Sequence, residues 1–196
     1  MTYYRRFQSA VALCALLMAA SCTSSDPKLY TIAPLPGSPL SDGPKVVALH
    51  GVGIARYLQR SQIVQSSEEY RIALRPGDWW GEPLDAMLAR VLAEDLTLRL
   101  PQSTIYTSSG VVTGSPEATV EIEVQRLDLD RDGNLLLIAQ GSVSFKSRSS
   151  PDTRSFRISE PPRSPGAAGQ VAATSIALGE LADRIAGMLV VRSGRK

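Results

Sequence analysis

Met1–Arg6 carries two arginines and no acidic residue, and an uncharged, largely apolar run, Ala10–Ala20, leads through small residues into Cys22. A positive start, a short apolar stretch and a small-residue cleavage site make a secretory signal. An eleven-residue run is too short to span a bilayer, which takes about 20 residues. This segment constrains the fold because it decides which residues the folded domain keeps. Removing 21 of the 196 residues leaves 175, from Cys22 onward. Cys14 leaves with the signal, so no thiol pair remains to staple the domain. The fold must stand on its core alone. A chain of this size buries on the order of 70% of its unfolded surface. A composition of 43% hydrophobic and 20% charged residues can supply that core.

Ala19-Ala20-Ser21-Cys22 resembles the bacterial lipobox, with Ala19 where leucine is commoner. Cys14 is a poor competitor because bulky Leu13 precedes it. In such a motif the thiol becomes a thioether to diacylglycerol and the new amino terminus is acylated, and several acyl chains give a stable anchor. Thr23 follows the cysteine, where Asp would favour inner-membrane retention, so the pattern points to the outer membrane of a Gram-negative cell. The competing reading is a plain secretory signal cut near an incidental cysteine. The formal charge of +2 belongs to the same segment: Arg5 and Arg6 are two of the 21 basic residues, and their loss leaves 19 against 19 acidic ones.

Residues 22–28 read as the acylated cysteine and a polar tether, residues 29–191 as one domain, and residues 192–196 as a frayed basic tail. Leu29–Ala33 has strand character, and Lys45–Leu58 is β-branched at its start, with Gly51 and Gly53 suggesting a bulge. Tyr70–Leu74 alternates as a strand that Pro76-Gly77-Asp78 would end. Pro83 suits the first turn of a helix. Leu84, Met87, Leu88, Val91, Leu92 and Leu98 form its apolar stripe, while Asp85, Arg90, Glu94 and Asp95 fall on a solvated remainder. Pro101 stops it, and Ser103–Ser108 reads as a strand. Ala118–Leu129 alternates cleanly, Asp132-Gly133-Asn134 signals a turn, and Leu135–Phe145 returns as the second arm of a hairpin. Ser155–Ile158 reads as an edge strand within the Ser- and Pro-rich stretch 147–169. Val171, Leu178, Leu181, Ile185, Met188 and Leu189 mark a closing helix. The expected fold is α/β of the α+β kind: a single domain, one mixed β-sheet with two main helices packed on it.

Chemistry is sparse. Asp128, Asp130, Asp132 and Gly133 copy the first half of a calcium loop, but the twelfth position is Ala139 where a bidentate Glu belongs, and strands flank the segment. A solvated hairpin turn is the better reading. The single histidine, His50, has no Cys or carboxylate neighbours in sequence and reads as a strand residue. Gly51-Val52-Gly53 lacks the third glycine of a dinucleotide fingerprint, and no nucleophile elbow or phosphate-cradling loop is present. These residues point to no enzyme, no metal and no cofactor, and the thin scatter of basic residues makes no nucleic-acid site. Trp79-Trp80 reads either as an indole packed under the next helix or as an exposed aromatic anchor for a protein or lipid.

The run Tyr57-Leu58-Gln59-Arg60-Ser61-Gln62-Ile63-Val64, then Trp79-Trp80, Glu82-Pro83-Leu84 and Ala89–Leu96, resembles the PqiC/YmbA family of ABC-type transport auxiliary lipoproteins. Ser61 stands where that family usually has proline, and the 147–169 stretch is longer and richer in proline. The resemblance implies a non-catalytic periplasmic lipoprotein, anchored in the outer membrane by Cys22. Its implied partners are an MCE-type lipid-binding protein and an inner-membrane permease and ATPase that move phospholipid and support envelope integrity. Tyr57, Arg60, Trp79 and Trp80 are then the candidate partner-binding residues, and a homo-oligomer fits the family. A lipoprotein that recruits or activates cell-wall synthesis machinery is the alternative, and a hydrolase acting through His50 a more distant one.

Overall fold

A computed structural model describes residues 26–108, 110 and 114–191. The architecture is built outward from the expected hairpin. In β6 (Ala118–Leu129), Val120, Ile122 and Val124 are buried and Glu121, Glu123 and Gln125 exposed, so period-two alternation sets a core face and a wet face. β7 (Leu135–Phe145) returns antiparallel, with Ala118 opposite Phe145 and Leu129 opposite Leu135. Between them Asp130 Oδ1 accepts the N–H groups of Asp132 and Asn134 at 3.0 and 2.9 Å. Gly133 takes a φ of +80°, which this turn needs and a Cβ would disfavour. β8 (Asp152–Glu160) then adds antiparallel to β7 as the sheet's edge, more than twice the length the sequence suggested.

β6 is longer than any single neighbour on its other side, and the sheet divides there. Its first half takes β2 (Val46–Ile54) in parallel, with a register shift between Leu49 and Val52 where Gly51 lies, and β5 (Thr104–Thr107) adds parallel to β2. Past Ile54 the chain leaves β2 through a 3-10 turn at Arg56–Leu58. Its return, β3 (Gln62–Ser66), meets the far end of β6 through Ser66 and Leu129. β4 (Ala73–Trp80) pairs antiparallel with β3, and β1 (Lys28–Tyr30) lies parallel on β4. The result is the expected mixed sheet, with eight strands among the described residues.

Three expectations need correcting. The strand expected at Tyr70–Leu74 begins only at Ala73, as the start of β4: Glu69 and Tyr70 have φ of 55° and 62°, and Tyr70 is fully exposed. Pro76-Gly77-Asp78 do not end it. Val64 pairs with Leu74 and Gln62 with Trp79, so the Pro–Gly residues swell into a bulge and the strand resumes to Trp80. A bulge tolerates a proline that cannot donate to the ladder. The third correction concerns α1 (Leu84–Arg99). Its stripe buries Leu84, Met87, Leu88, Val91, Leu92 and Leu96, but Leu98 is exposed and Asp95 wholly buried.

α1 packs on β2 and β5, α2 (Gly166–Val191) packs on β6, β7 and β8, and the helices touch each other. All six apolar residues expected to face inward from α2 are buried, together with Ala173, Ala177, Ala182 and Ala186. Small side chains bring the helix close to the sheet. Gly141 on β7 completes that fit: a Cβ there would lie 2.8 Å from Phe156, 2.9 Å from Ile185 and 3.0 Å from Ile122.

The segment from β1 to β2 is locked to both helices by a buried polar network. Arg99, 2% exposed, donates to the carbonyls of Leu35, Asp95 and Gly179 at 2.9, 3.0 and 2.9 Å and to Asp183 Oδ1 at 2.5 Å. Asp95 Oδ1 accepts the N–H of Leu35 at 2.7 Å, and Leu40 N donates to Arg99 O at 2.7 Å. Among the described residues Asp95 Oδ2 has no hydrogen-bond partner. Burial is the largest influence on this carboxyl and pushes its pKa up to about 6, against the pull of the Leu35 N–H and Arg99.

Candidate functional site

The 55–61 turn and the start of α1 face each other across an open groove of about 660 Å³. Ile54, Trp80 and Leu84 are its buried apolar members, with Arg60 on one rim and Glu82 and Asp85 on the other. The walls are fastened by backbone. Trp80 N donates to Ser61 O at 2.7 Å, holding β4 to the end of the turn, and Gly81 N donates to Tyr30 O at 2.9 Å. Pro83 caps α1 with a φ of −52°, one residue ahead of its first turn, so no side chain closes the helix start. Asp85 in that first turn complements the positive end of the helix dipole. Glu82 is committed to Arg90, whose Nη2 is 2.6 Å away and whose pKa is raised, chiefly by that bond.

The candidate residues divide. Arg60 is exposed on the groove rim, its Nε donating to Tyr57 O at 2.7 Å, so the turn's own carbonyl orients the guanidinium. Trp80 is 7% exposed and packs in the core with its edge on the groove floor, which is the packed reading of the pair. Trp79 points the other way, 37% exposed, opposite Leu29 in β1. Tyr57 is half-buried and turned from the groove, its hydroxyl donating to Asp128 Oδ2 at 2.7 Å. Its pKa is raised by burial and then by Asp128, so the hydroxyl stays a donor. Cys22 lies outside the described residues.

Asp128 is spent internally. It is wholly buried and accepts from Tyr57, from Ser67 Oγ at 2.8 Å and from Arg126 Nε at 3.0 Å. Arg126 also reaches Glu68 Oε1 at 2.5 Å, and this bond leads the influences that lower the Glu68 pKa. The cluster ties the 55–58 turn and the 66–68 loop to the end of β6. Asp130, the next oxygen of the calcium-like pattern, caps the hairpin turn. Among the described residues no three His, Cys, Asp or Glu side chains converge as a metal site. His50 stands on the helix-free face of the sheet, its Nδ1 3.7 Å from Glu121 Oε1 with both side chains exposed, and takes no part in the groove.

A second groove, of about 550 Å³, runs between α1 and β5, floored by Ala86, Ala89 and Ala93 and flanked by Arg90 and Glu94. Both grooves are shallow surfaces with charged residues on the rim and apolar ones on the floor.

A family model described as the ABC-type transport auxiliary lipoprotein component matches residues 28–186. The chain belongs to that family. For this auxiliary lipoprotein the match opens at the first residue of β1 and closes inside α2, so it takes in every strand and both grooves. No curated protein matches it. Among solved structures, a Xanthomonas campestris protein of the DUF330 family has a TM-score of 0.69 at 16% identity, covering 85% of this chain and 96% of its own. The crystal structure of an uncharacterized protein has a TM-score of 0.69 at 18% identity, covering 84% and 99%. At those identities the likeness is one of fold. No described helix of the auxiliary lipoprotein is long and apolar enough to cross a membrane.

Proposed function

We propose that this auxiliary lipoprotein is a non-catalytic subunit of an MCE-type phospholipid transport system, held in the outer membrane by acylated Cys22 and facing the periplasm. In this reading it docks an MCE-type lipid-binding protein and, through it, an inner-membrane permease and ATPase. The observation that carries the reading is the family match, which begins at Lys28, six residues after a lipobox-like cysteine. A permanent tether followed at once by a folded docking module suits an anchor for a partner that bridges two membranes. The Arg60–Trp80 groove is the docking surface we favour, since it joins an oriented guanidinium, a buried aromatic and a helix start, features that recur at interface centres. A ring or other homo-oligomer is compatible with the strand edges at β5 and β8.

A pulldown from detergent-solubilised envelopes tests the proposal. Recovery of MCE-type and permease proteins supports it, whereas recovery of cell-wall synthases alone replaces it with a recruiter of that machinery. Cys22→Ser protein that is still processed and membrane-bound removes the anchor from the account.

A further inference from the structure

Leu29 and Trp79 are cross-strand partners on β1 and β4, and both point away from the core that holds Trp80. Leu29 is 65% exposed and Trp79 37%, which places two of the large exposed apolar side chains of the described residues directly side by side. β1 is the outermost strand of its side of the sheet, so no described strand lies beyond the pair. Five residues lie between Cys22 and Lys28, and the steps from one to the other span at most about 20 Å when fully extended. If Cys22 is acylated, as the proposed function has it, this edge is kept within about 20 Å of the bilayer surface. We propose that the Leu29–Trp79 edge rests in the headgroup layer and sets the domain's orientation, β1 toward the membrane.

Lipid suits this edge better than a protein does. A protein seated on this edge would have to fit into a gap bounded by the tether's reach, whereas the bilayer is always present there. Tryptophan is suited to that depth, with an apolar body and an N–H that can stay hydrated. Charge contributes little, because Lys28 is offset by Asp78, its register partner, and by nearby Asp26. The contact is therefore apolar, weak by itself, and populated because the tether raises the local concentration of bilayer to a level that a weak contact can use.

The test supplies the tether chemically, so that it does not depend on acylation in the cell. Residues 22–196 carry a single thiol, Cys22, which is coupled to a maleimide lipid in phosphatidylcholine vesicles or capped with N-ethylmaleimide as the untethered control. Trp79→Phe protein, altered only at the surface, gives the Trp80 baseline, and the difference from wild type is the Trp79 signal. The expected result is a blue shift and a loss of about half the Trp79 emission to brominated acyl chains, as for an indole held at headgroup depth. The effect should appear only when tethered, be unchanged by high salt, and be weakened by Leu29→Ser. Identical Trp79 emission in the tethered and capped proteins overturns the proposal. So does a shift that appears only when solubilised envelope proteins are added, which would assign the edge to a protein. Mass analysis of Cys22 from cells reports separately on acylation, so the two readings fail independently.

Discussion

Arg99 and Asp183 meet at 2.5 Å, Nε to Oδ1, and so join the last turn of α1 to the middle of α2. The same guanidinium satisfies three carbonyls from two helices and the incoming 31–40 segment. A lysine has one compact ammonium and cannot span this fork. Arg99→Lys should leave at least two buried acceptors without a donor and cost about 2–4 kcal/mol, a fall in Tm of roughly 5–15 °C. A thermal melt checks it, and an unchanged Tm would mean water replaces the guanidinium.

Asp95 lies in the same network, and its raised pKa makes stability depend on pH. Its folded value of about 6 exceeds the ordinary aspartate value of 3.8, so the folded state binds the proton more tightly. The stabilisation this contributes is complete below the unfolded value and is lost as pH rises through the folded one. Arg99 and the Leu35 N–H hold the ionised form, while Glu94 and Asp183 oppose it. Glu68 acts with the opposite sign: its lowered pKa contributes above its unfolded value and is lost as pH falls. The variant isolates the first effect. Asp95→Asn should flatten the decline in Tm between about pH 4 and 7 relative to wild type, because asparagine keeps the Oδ1 acceptor for Leu35 and cannot ionise. Parallel pH–Tm curves for the two proteins would refute it.

How far this could be read from sequence depended on whether one period governed a segment. The β6–β7 hairpin and α2 were legible because alternation ran unbroken from Ala118 to Gln125 and helical spacing from Val171 to Leu189. β3 was not, since Gln62-Ile63-Val64-Gln65-Ser66 buries two adjacent residues and offers no alternation. β4 hid behind Pro76-Gly77-Asp78, a turn signal that the fold absorbs in a bulge. Had β4 been carried through to Trp80, period two alone would have sent one indole inward and the other outward. Asp95 and Arg99 were readable by position only. They extend the stripe by helical spacing from Leu88 and Leu92, but a charged side chain carries no signal of burial in a pattern read from apolar residues. Tyr57 and Arg60 face different neighbours because the 3-10 turn ends at Leu58, so Arg60 is not held in the i+3 position that would bring it beside Tyr57.

Tyr57 and Asp128 give a graded pair of variants. Tyr57→Phe removes one donor while Ser67 and Arg126 still satisfy the carboxylate, so the loss should be about 1 kcal/mol. Asp128→Ala leaves Tyr57, Ser67 and Arg126 without it and should cost about 3 kcal/mol or more. Urea midpoints measure both, and the double variant should fall well short of their sum because the two share one bond.

Gly141 tests the approach of α2 to the sheet. Gly141→Ala places a methyl within 3.0 Å of Phe156, Ile185 and Ile122, three buried side chains from three elements. None can retreat without opening its own contacts, so the substitution should cost about 1–3 kcal/mol, and Gly141→Val more. If urea denaturation finds Gly141→Ala as stable as wild type, α2 stands farther from β7 than these distances indicate.

Arg60 offers the sharpest separation of docking from folding. Its side chain is exposed, and its bond to the Tyr57 carbonyl closes a turn that Leu58 N to Ala55 O and Gln59 N to Arg56 O already hold. Arg60→Glu should therefore change stability by less than about 1 kcal/mol. The same substitution puts a third carboxylate at a groove that already carries Glu82 and Asp85. If the transporter partner presents an acidic or carbonyl-rich segment to Arg60, its affinity should fall roughly ten- to a hundredfold, since both an attraction is lost and a repulsion introduced. Arg60→Lys retains the charge without the planar fork and should fall between them. The measurement is binding of the purified partner to immobilised wild-type and variant proteins, with matched melting curves as the control for folding. Undiminished binding by Arg60→Glu would move the docking surface off this groove, and the α1–β5 groove around Ala89 and Ala93 would be the next place to introduce a charge.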